Sequence, residues 1–190
     1  MMPRLVLASA SPRRLAMLAQ IGVVPDAVVA TDIDETALPA EQPRLAVQRL
    51  ARAKAAAAGT PDAFVLAADT VVAVGRRMLP KAETVEQARA CLRLLSGRRH
   101  HVFTCVVLVA PDGRQAERVS DSTVGFARLT ERQVETYLAT GEWRGKAGGY
   151  AIQGHAAAYI RWLAGSYSGV VGLPLFETAQ LLRGLGFPLS

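Results

Sequence analysis

The chain has 190 residues, 51% of them hydrophobic and 20% charged, which is enough to build one full core and excludes a disordered or fibrous polymer. Its net charge of +6 favours polyanionic partners such as nucleotides, nucleic acid or acidic lipid. The charge is scattered, with no run longer than Arg98-Arg99-His100-His101, so most of it reads as a solvated surface.

Leu5-Val6-Leu7-Ala8 reads as a short strand that runs directly into Ser9-Ala10-Ser11-Pro12-Arg13-Arg14. Pro12 suits the first position of a helix with Ser11 as its N-cap, and the helix continues over 13–21 until Gly22 stops it. The first N–H groups of a helix lack partners and its dipole is positive there. With two hydroxyls and two guanidinium groups added, this junction is a candidate anion site. Taken alone, it reads equally well as a capped helix carrying two solvated arginines. Residues 27–31 form a short strand, followed by the acidic loop Asp32-Ile33-Asp34-Glu35, for which solvation is the default reading. Over 43–58 the apolar positions Leu45, Ala46, Leu50, Ala53 and Ala57 fall near helical spacing, and Gly59-Thr60-Pro61 ends that helix.

The continuous apolar run 64–68 predicts a buried strand that ends in Asp69-Thr70 before Val71-Val72-Ala73-Val74. Thr84-Val85-Glu86-Gln87 is a capping-box signature for a helix reaching about Leu95, with Ser96-Gly97 as its stop. A strand over 101–109, the turn Pro111-Asp112-Gly113 and a polar strand returning to about Ala127 make an antiparallel pair. Thr130-Glu131-Arg132-Gln133 repeats the capping box before a helix ending near Thr140-Gly141. The glycine-rich segment 141–154 is irregular, 157–163 reads as a strand and 174–185 as a helix. Alternating strands and helices with an antiparallel pair in the middle predict an α/β fold with a mixed sheet, not a pure doubly wound one.

Carboxylates beyond strand ends are well placed for ligands in such sheets, which singles out Asp69; a cap on the following turn is the alternative. A second carboxylate from Glu35 or Asp34 at the same place would suit Mg²⁺ held jointly with phosphate oxygens. Nineteen of the 22 basic residues are arginine, so Lys54, Lys81 and Lys146 either mark positions where a compact ammonium is needed or are what chance leaves in an arginine-rich chain. Several common chemistries are not indicated. His100 and His101 lack zinc-ligand spacing, and the aromatics form no stacking ladder for single strands. Gly141-Glu142-Trp143-Arg144-Gly145-Lys146 approaches a P-loop but is one residue short and continues with Ala147. Cys91 and Cys105 sit in apolar stretches without metal spacing and read as free buried thiols in a reducing compartment. The first eleven residues hold an apolar core of about four residues, too short for an export signal, and no apolar run nears about 20 residues. A soluble cytoplasmic protein is expected.

Six blocks stand in order along nearly the whole chain. They are Leu7-Ala8-Ser9-Ala10-Ser11-Pro12-Arg13-Arg14; Ala51-Arg52-Ala53-Lys54-Ala55; Ala67-Ala68-Asp69-Thr70-Val71-Val72; and Leu95-Ser96-Gly97 with His100, Val102 and Thr104. Lys146-Ala147-Gly148-Gly149-Tyr150-Ala151-Ile152-Gln153-Gly154 follows, and then Gly165-Ser166-Tyr167-Ser168 through Gly172-Leu173-Pro174. Together they resemble the Maf family of nucleoside triphosphate pyrophosphatases. The resemblance implies one domain over 1–190, with the inosine triphosphatase-like (Ham1-like) arrangement of a mixed sheet, flanking helices and two lobes around a cleft. It implies Asp69 as proton acceptor, with Ser9, Ser11, Arg13, Arg14, Lys54 and Lys81 around the triphosphate. Glu35 and Asp69 then serve a divalent cation, Mg²⁺ or Mn²⁺.

By similarity, Arg13, Thr70 and Gln153 occupy the specificity positions of the subgroup acting on dTTP and UTP, whereas a subgroup acting on 7-methyl-GTP carries glutamate at the last. The chemistry agrees, because a glutamine amide answers both the N3–H and the carbonyls of uracil or thymine. The implied reaction releases pyrophosphate and a monophosphate, with no stable nucleic-acid complex, no membrane association and a homodimer as the implied assembly. Two alternatives remain open: a pyrophosphatase for other modified nucleotides such as 7-methyl-GTP, and a non-enzymatic nucleic-acid-binding or cell-division regulatory protein. The chain departs from the family pattern at Ala82, where proline is usual and whose absence predicts a less rigid loop, and at Gly169, where asparagine is common.

Overall fold

The computed structural model describes residues 3–189. Met1, Met2 and Ser190 lie outside the described residues, and with them the first positions of the stretch read for an export signal. In chain order the elements are β1 (Leu5–Ala8), α1 (Pro12–Gln20), β2 (Ala27–Val28), α2 (Pro43–Ala57), β3 (Phe64–Val74), β4 (Arg77–Leu79) and β5 (Lys81–Ala82). They continue with α3 (Val85–Leu95), β6 (Arg99–Val109), β7 (Gln115–Phe126), α4 (Glu131–Ala139), β8 (Lys146–Ala147), a 3-10 turn (His155–Tyr159), β9 (Ile160–Ala164), α5 (Tyr167–Val171) and α6 (Leu175–Gly184).

The main sheet has the order β2-β1-β3-β6-β7-β9, and β4 also pairs with β3. β2, β1 and β3 are parallel, whereas β3 with β6, β6 with β7 and β7 with β9 are antiparallel. The mixed α/β sheet with flanking helices is therefore as the pattern of elements predicts. β3 is apolar on both sides of Asp69-Thr70 because both its faces are covered. Leu66, Ala68 and Val72 pack into the larger core with Leu18 and Leu92, while Val65, Ala67 and Val71 pack against Val47, Ala51 and Ala55 of α2. Both predicted capping boxes form in full, Thr84 with Gln87 and Thr130 with Gln133, each cap contributing about 1 kcal/mol. Cys91 and Cys105 are buried and free.

Four expectations are corrected. Asp69 and Thr70 do not end a strand: β3 continues to Val74, and they pair with Cys105 and Thr104 inside it. Of 27–31, only Ala27 and Val28 pair. The segment read as a strand from Ala157 begins as a 3-10 turn, and β9 starts at Ile160; Ala156-Ala157-Ala158 lacks the branched side chains that favour a pleated surface. The Lys81-Ala82 segment, expected to be a loose loop, is a strand, with Lys81 opposite Ala147 and Ala82 opposite Lys146.

The register explains why Asp69 can face a ligand from mid-strand. β1 pairs with β3 only as far as Ala67, and β4 takes over that edge only at Val72. Between them lies a break in the ladder, opposite the Ser9-Ala10-Ser11 turn that leaves β1. The small β5–β8 sheet is held near this break by Gly148, whose φ of +71° is left-handed and whose added Cβ would lie 2.9 Å from Val72 Cγ1. Gly148→Ala should therefore lower stability by about 1–3 kcal/mol, through backbone strain and the clash together. Urea unfolding would measure this, and parental stability in the variant would remove the close approach as a constraint.

Candidate active site

The β1–α1 junction is built differently from a simple cap. Ser11 occupies the N-cap position with extended backbone, but its side chain makes no capping bond. Instead Ser9, buried, accepts from the Ser11 N–H at 3.2 Å and from Arg14 Nη1 at 3.0 Å. Arg14 also donates from Nε to the Gly172 carbonyl at 2.8 Å and from Nη2 to Thr70 Oγ1 at 3.4 Å. Thr104 gives its hydroxyl hydrogen to the Gly169 carbonyl at 2.7 Å, so the 3.0 Å contact between the two threonines has Thr70 as donor. A directional chain thus runs from Arg14 through Thr70 and Thr104 to the Gly169 backbone. Gly169 is tightly enclosed, since a Cβ there would lie 2.9 Å from Ser120 Oγ and 3.1 Å from Ser166 Cβ. Arg13 makes one backbone bond, from Nε to Val171 O at 3.3 Å, and its terminal nitrogens are left for the cleft.

On the other face of β3, Lys54 in the last turn of α2 reaches Asp69 Oδ1 at 2.5 Å and Glu35 Oε1 at 2.7 Å. Glu35 Oε2 pairs with Lys81. The acidic loop therefore divides: Glu35 joins the site, while exposed Asp34 accepts from the Thr36 N–H at 2.8 Å in a local turn. Burial works against the charged form of Glu35, but the Lys54 and Lys81 ammonium groups outweigh it and hold its pKa below the usual value. Lys54 side-chain exposure is only 8%, so its ammonium is held by the two carboxylates and not by solvent.

These groups border one cleft, together with Lys146, Gln153, Tyr150, Ile152 and Val171. The cleft is open at its mouth and holds about 730 Å³ of empty space with that mouth included. All three lysines of the chain line it. Burial lowers the pKa of Arg13, of Arg14 and of Lys146, and for Lys146 the Arg13 charge adds to the effect. Five cations thus stand around two bonded carboxylates, an arrangement that an anionic ligand completes. Within the block Ala51–Ala55, Lys54 reaches the site, whereas Arg52 is tied to Glu117 at 2.6 Å.

Ser9, Ser11, Arg13, Arg14, Glu35, Lys54, Asp69, Thr70, Lys81 and Gln153 all lie in or beside this cleft, whereas Asp34 does not. Sequence reasoning missed Lys146 as a site residue, although its rarity had marked it, and missed Tyr150. The Tyr150 hydroxyl pairs with His100 Nε2 at 2.7 Å within an aromatic cluster that includes Phe126. Among the described residues, no group of three or more His, Cys, Asp or Glu converges as a metal cage. Glu35 and Asp69, brought together across Lys54, fit instead a hard divalent cation that takes part of its shell from phosphate oxygens.

Fold and cleft together define an α/β protein whose cation-rich cleft suits a polyanion beside a buried carboxylate, Asp69, and a more exposed one, Glu35. The chain belongs to the Maf family, whose model, described as Maf-like protein, matches residues 4–185. A relative from Granulibacter bethesdensis, named dTTP/UTP pyrophosphatase, is 66% identical, covering 96% of this chain and 93% of its own. One of the same name from Caulobacter vibrioides is 60% identical over 97% of both chains. A solved structure of the Staphylococcus aureus Ham1 protein is similar to 65% of this chain and 72% of its own, with 18% identity and a TM-score of 0.45.

His100 gives the site a pH signature. It is 1% exposed with Nδ1 unpartnered, and burial, with a smaller contribution from His101, pushes its pKa down from 6.5 to about 4. Below pH 6.5 the unfolded chain takes up a proton that folded His100 refuses until about pH 4. Stability should therefore fall with pH across this window, by at most about 1.4 kcal/mol per pH unit. Urea unfolding between pH 7 and 5 should show that slope in the parent and a flatter one in His100→Gln. An unchanged slope would assign the effect to other groups.

Proposed function

We propose that this chain hydrolyses dTTP and UTP to the monophosphate and pyrophosphate, as a single domain spanning 1–190. The observation that carries this reading is the cation-rich cleft in which the Asp69–Lys54–Glu35 cluster and the Gln153 amide meet, in a chain closely similar to relatives of that name. Asp69 Oδ1 is held by Lys54, and the carboxylate borders the cleft, where it can take the proton of a water attacking the α-phosphorus. Arg13, Lys81 and Lys146 offer donors to the triphosphate and stabilise charge developing on the pyrophosphate leaving group. Arg14 is already fixed by three bonds to the protein, so it presents its remaining N–H groups without reorganising. Ser9 orients Arg14, and the Ser11 hydroxyl, uninvolved in capping, is available to phosphate.

Glu35 and Asp69 would hold Mg²⁺ or Mn²⁺ together with phosphate oxygens, and the cation would supply charge neutralisation on the triphosphate. Gln153 reads the base: its amide carbonyl accepts from N3–H while its NH₂ donates to a ring carbonyl. Thr70 contributes by holding Arg14. Buried free thiols support a reducing, cytoplasmic setting.

Asp69→Asn should keep the fold, since the shape is nearly conserved, and lower kcat by about 10²–10⁴-fold, because an amide cannot take the proton. Steady-state pyrophosphate release at saturating UTP measures it, and retention of half the parental rate would take the role from Asp69. Gln153→Glu replaces the donor with an acceptor that faces the pyrimidine carbonyl. The ratio of kcat/KM for UTP to that for GTP and 7-methyl-GTP should drop by roughly tenfold or more. An unchanged ratio would remove Gln153 from base recognition.

A further inference from the structure

We propose that Glu142 is a positioning residue for base selection: its carboxylate clamps the turn that presents Gln153 to the cleft. This rests on the reading of Gln153 as the base-recognition group. Residues 151–154 lie between β8 and the 3-10 turn and belong to no sheet ladder, so the orientation of Gln153 depends on a few anchors. Before it, the Ala151 N–H donates to the Tyr137 hydroxyl at 3.0 Å. After it, the His155 N–H donates to Glu142 Oε2 at 2.7 Å. Within the turn the Gly154 N–H donates to Ala151 O at 3.1 Å. Tyr137 is in the last turn of α4 and Glu142 lies three residues beyond its end, so one helix terminus holds both sides of the turn.

Gly154 supplies the independent observation. Its backbone is extended with a negative φ of −111°, so no left-handed conformation requires glycine there. A Cβ at that position, however, would overlap Glu142 Oε2 and lie 2.7 Å from Cδ. The absent side chain is the space that the carboxylate occupies. Glu142 takes part in no ion pair among the described residues; its one side-chain bond is the charge-assisted one to His155.

The test compares kcat/KM for UTP and for GTP, with melting temperature alongside, in the parent, Gln153→Ala, Glu142→Ala, Glu142→Gln, Gly154→Ala and the Glu142→Ala/Gly154→Ala pair. Gln153→Ala should lower the UTP-to-GTP ratio, and Glu142→Ala should lower it by roughly tenfold, the scale of one lost hydrogen bond. Glu142→Gln keeps a carbonyl acceptor and should retain the parental ratio. Gly154→Ala should match Glu142→Ala because it displaces the carboxylate, and the double variant should be no worse than either alone. A ratio unmoved in Glu142→Ala while Gln153→Ala shifts it would overturn the clamp, even if the melting temperature falls. So would losses that multiply in the double variant. A ratio unmoved in Gln153→Ala itself would overturn the base reading and the clamp with it.

Discussion

The Lys54 ammonium lies between two carboxylates, 2.5 Å from Asp69 and 2.7 Å from Glu35, on a side chain that is 8% exposed. A buried charge is costly unless it is paired, and removing one partner from such a group costs more than the pair itself contributes. Lys54 therefore fixes three separate parts of the chain: the end of α2, the middle of β3 and the loop that carries Glu35. The connection extends further, since Glu35 also pairs with Lys81 on β5, β5 is laddered to β8, and β8 leads through the Gly148-Gly149 turn towards Tyr150 and Gln153. Cleft groups far apart in sequence are thus tied to one buried cation.

The two arginines that open α1 have different tasks despite being neighbours. Arg14 makes three bonds to protein oxygens, through which it shares the hydroxyl chain of Thr70 and Thr104. Arg13 makes one, and its fork is left for the ligand. Composition cannot separate them; what separates them is the direction in which successive residues of a helix point, 100° apart.

Much of the fold was legible because its signals are local. Capping boxes at Thr84 and Thr130, the apolar run from Phe64 and the turn at Asp112-Gly113 each specify geometry within a few residues. The failures share a cause. Asp69 and Thr70 looked like a strand end because polar residues interrupt the apolar run, yet β3 continues, since the two polar groups occupy a break in the neighbouring ladder. Two-residue strands such as Lys81–Ala82 and Lys146–Ala147 exist only through their pairing with one another, which no periodicity records. In the site, the scarcity of lysine pointed to all three cleft ammonium groups. The anchoring of Gln153 by Glu142 depends on a contact between a carboxylate and a glycine twelve residues on, and has no local signature.

Asp69 and Thr70 are adjacent in β3 and therefore project from opposite faces of the sheet, the first towards Lys54 and the second towards Arg14 and Thr104. Deletion or insertion of one residue upstream within β3 would exchange them, sending the carboxylate among the arginine's hydroxyl partners and the hydroxyl towards the ammonium. Sequence change in this strand is accordingly confined to substitution. The loops on either side can lengthen or shorten over evolutionary time, while the strand between them has to keep its count.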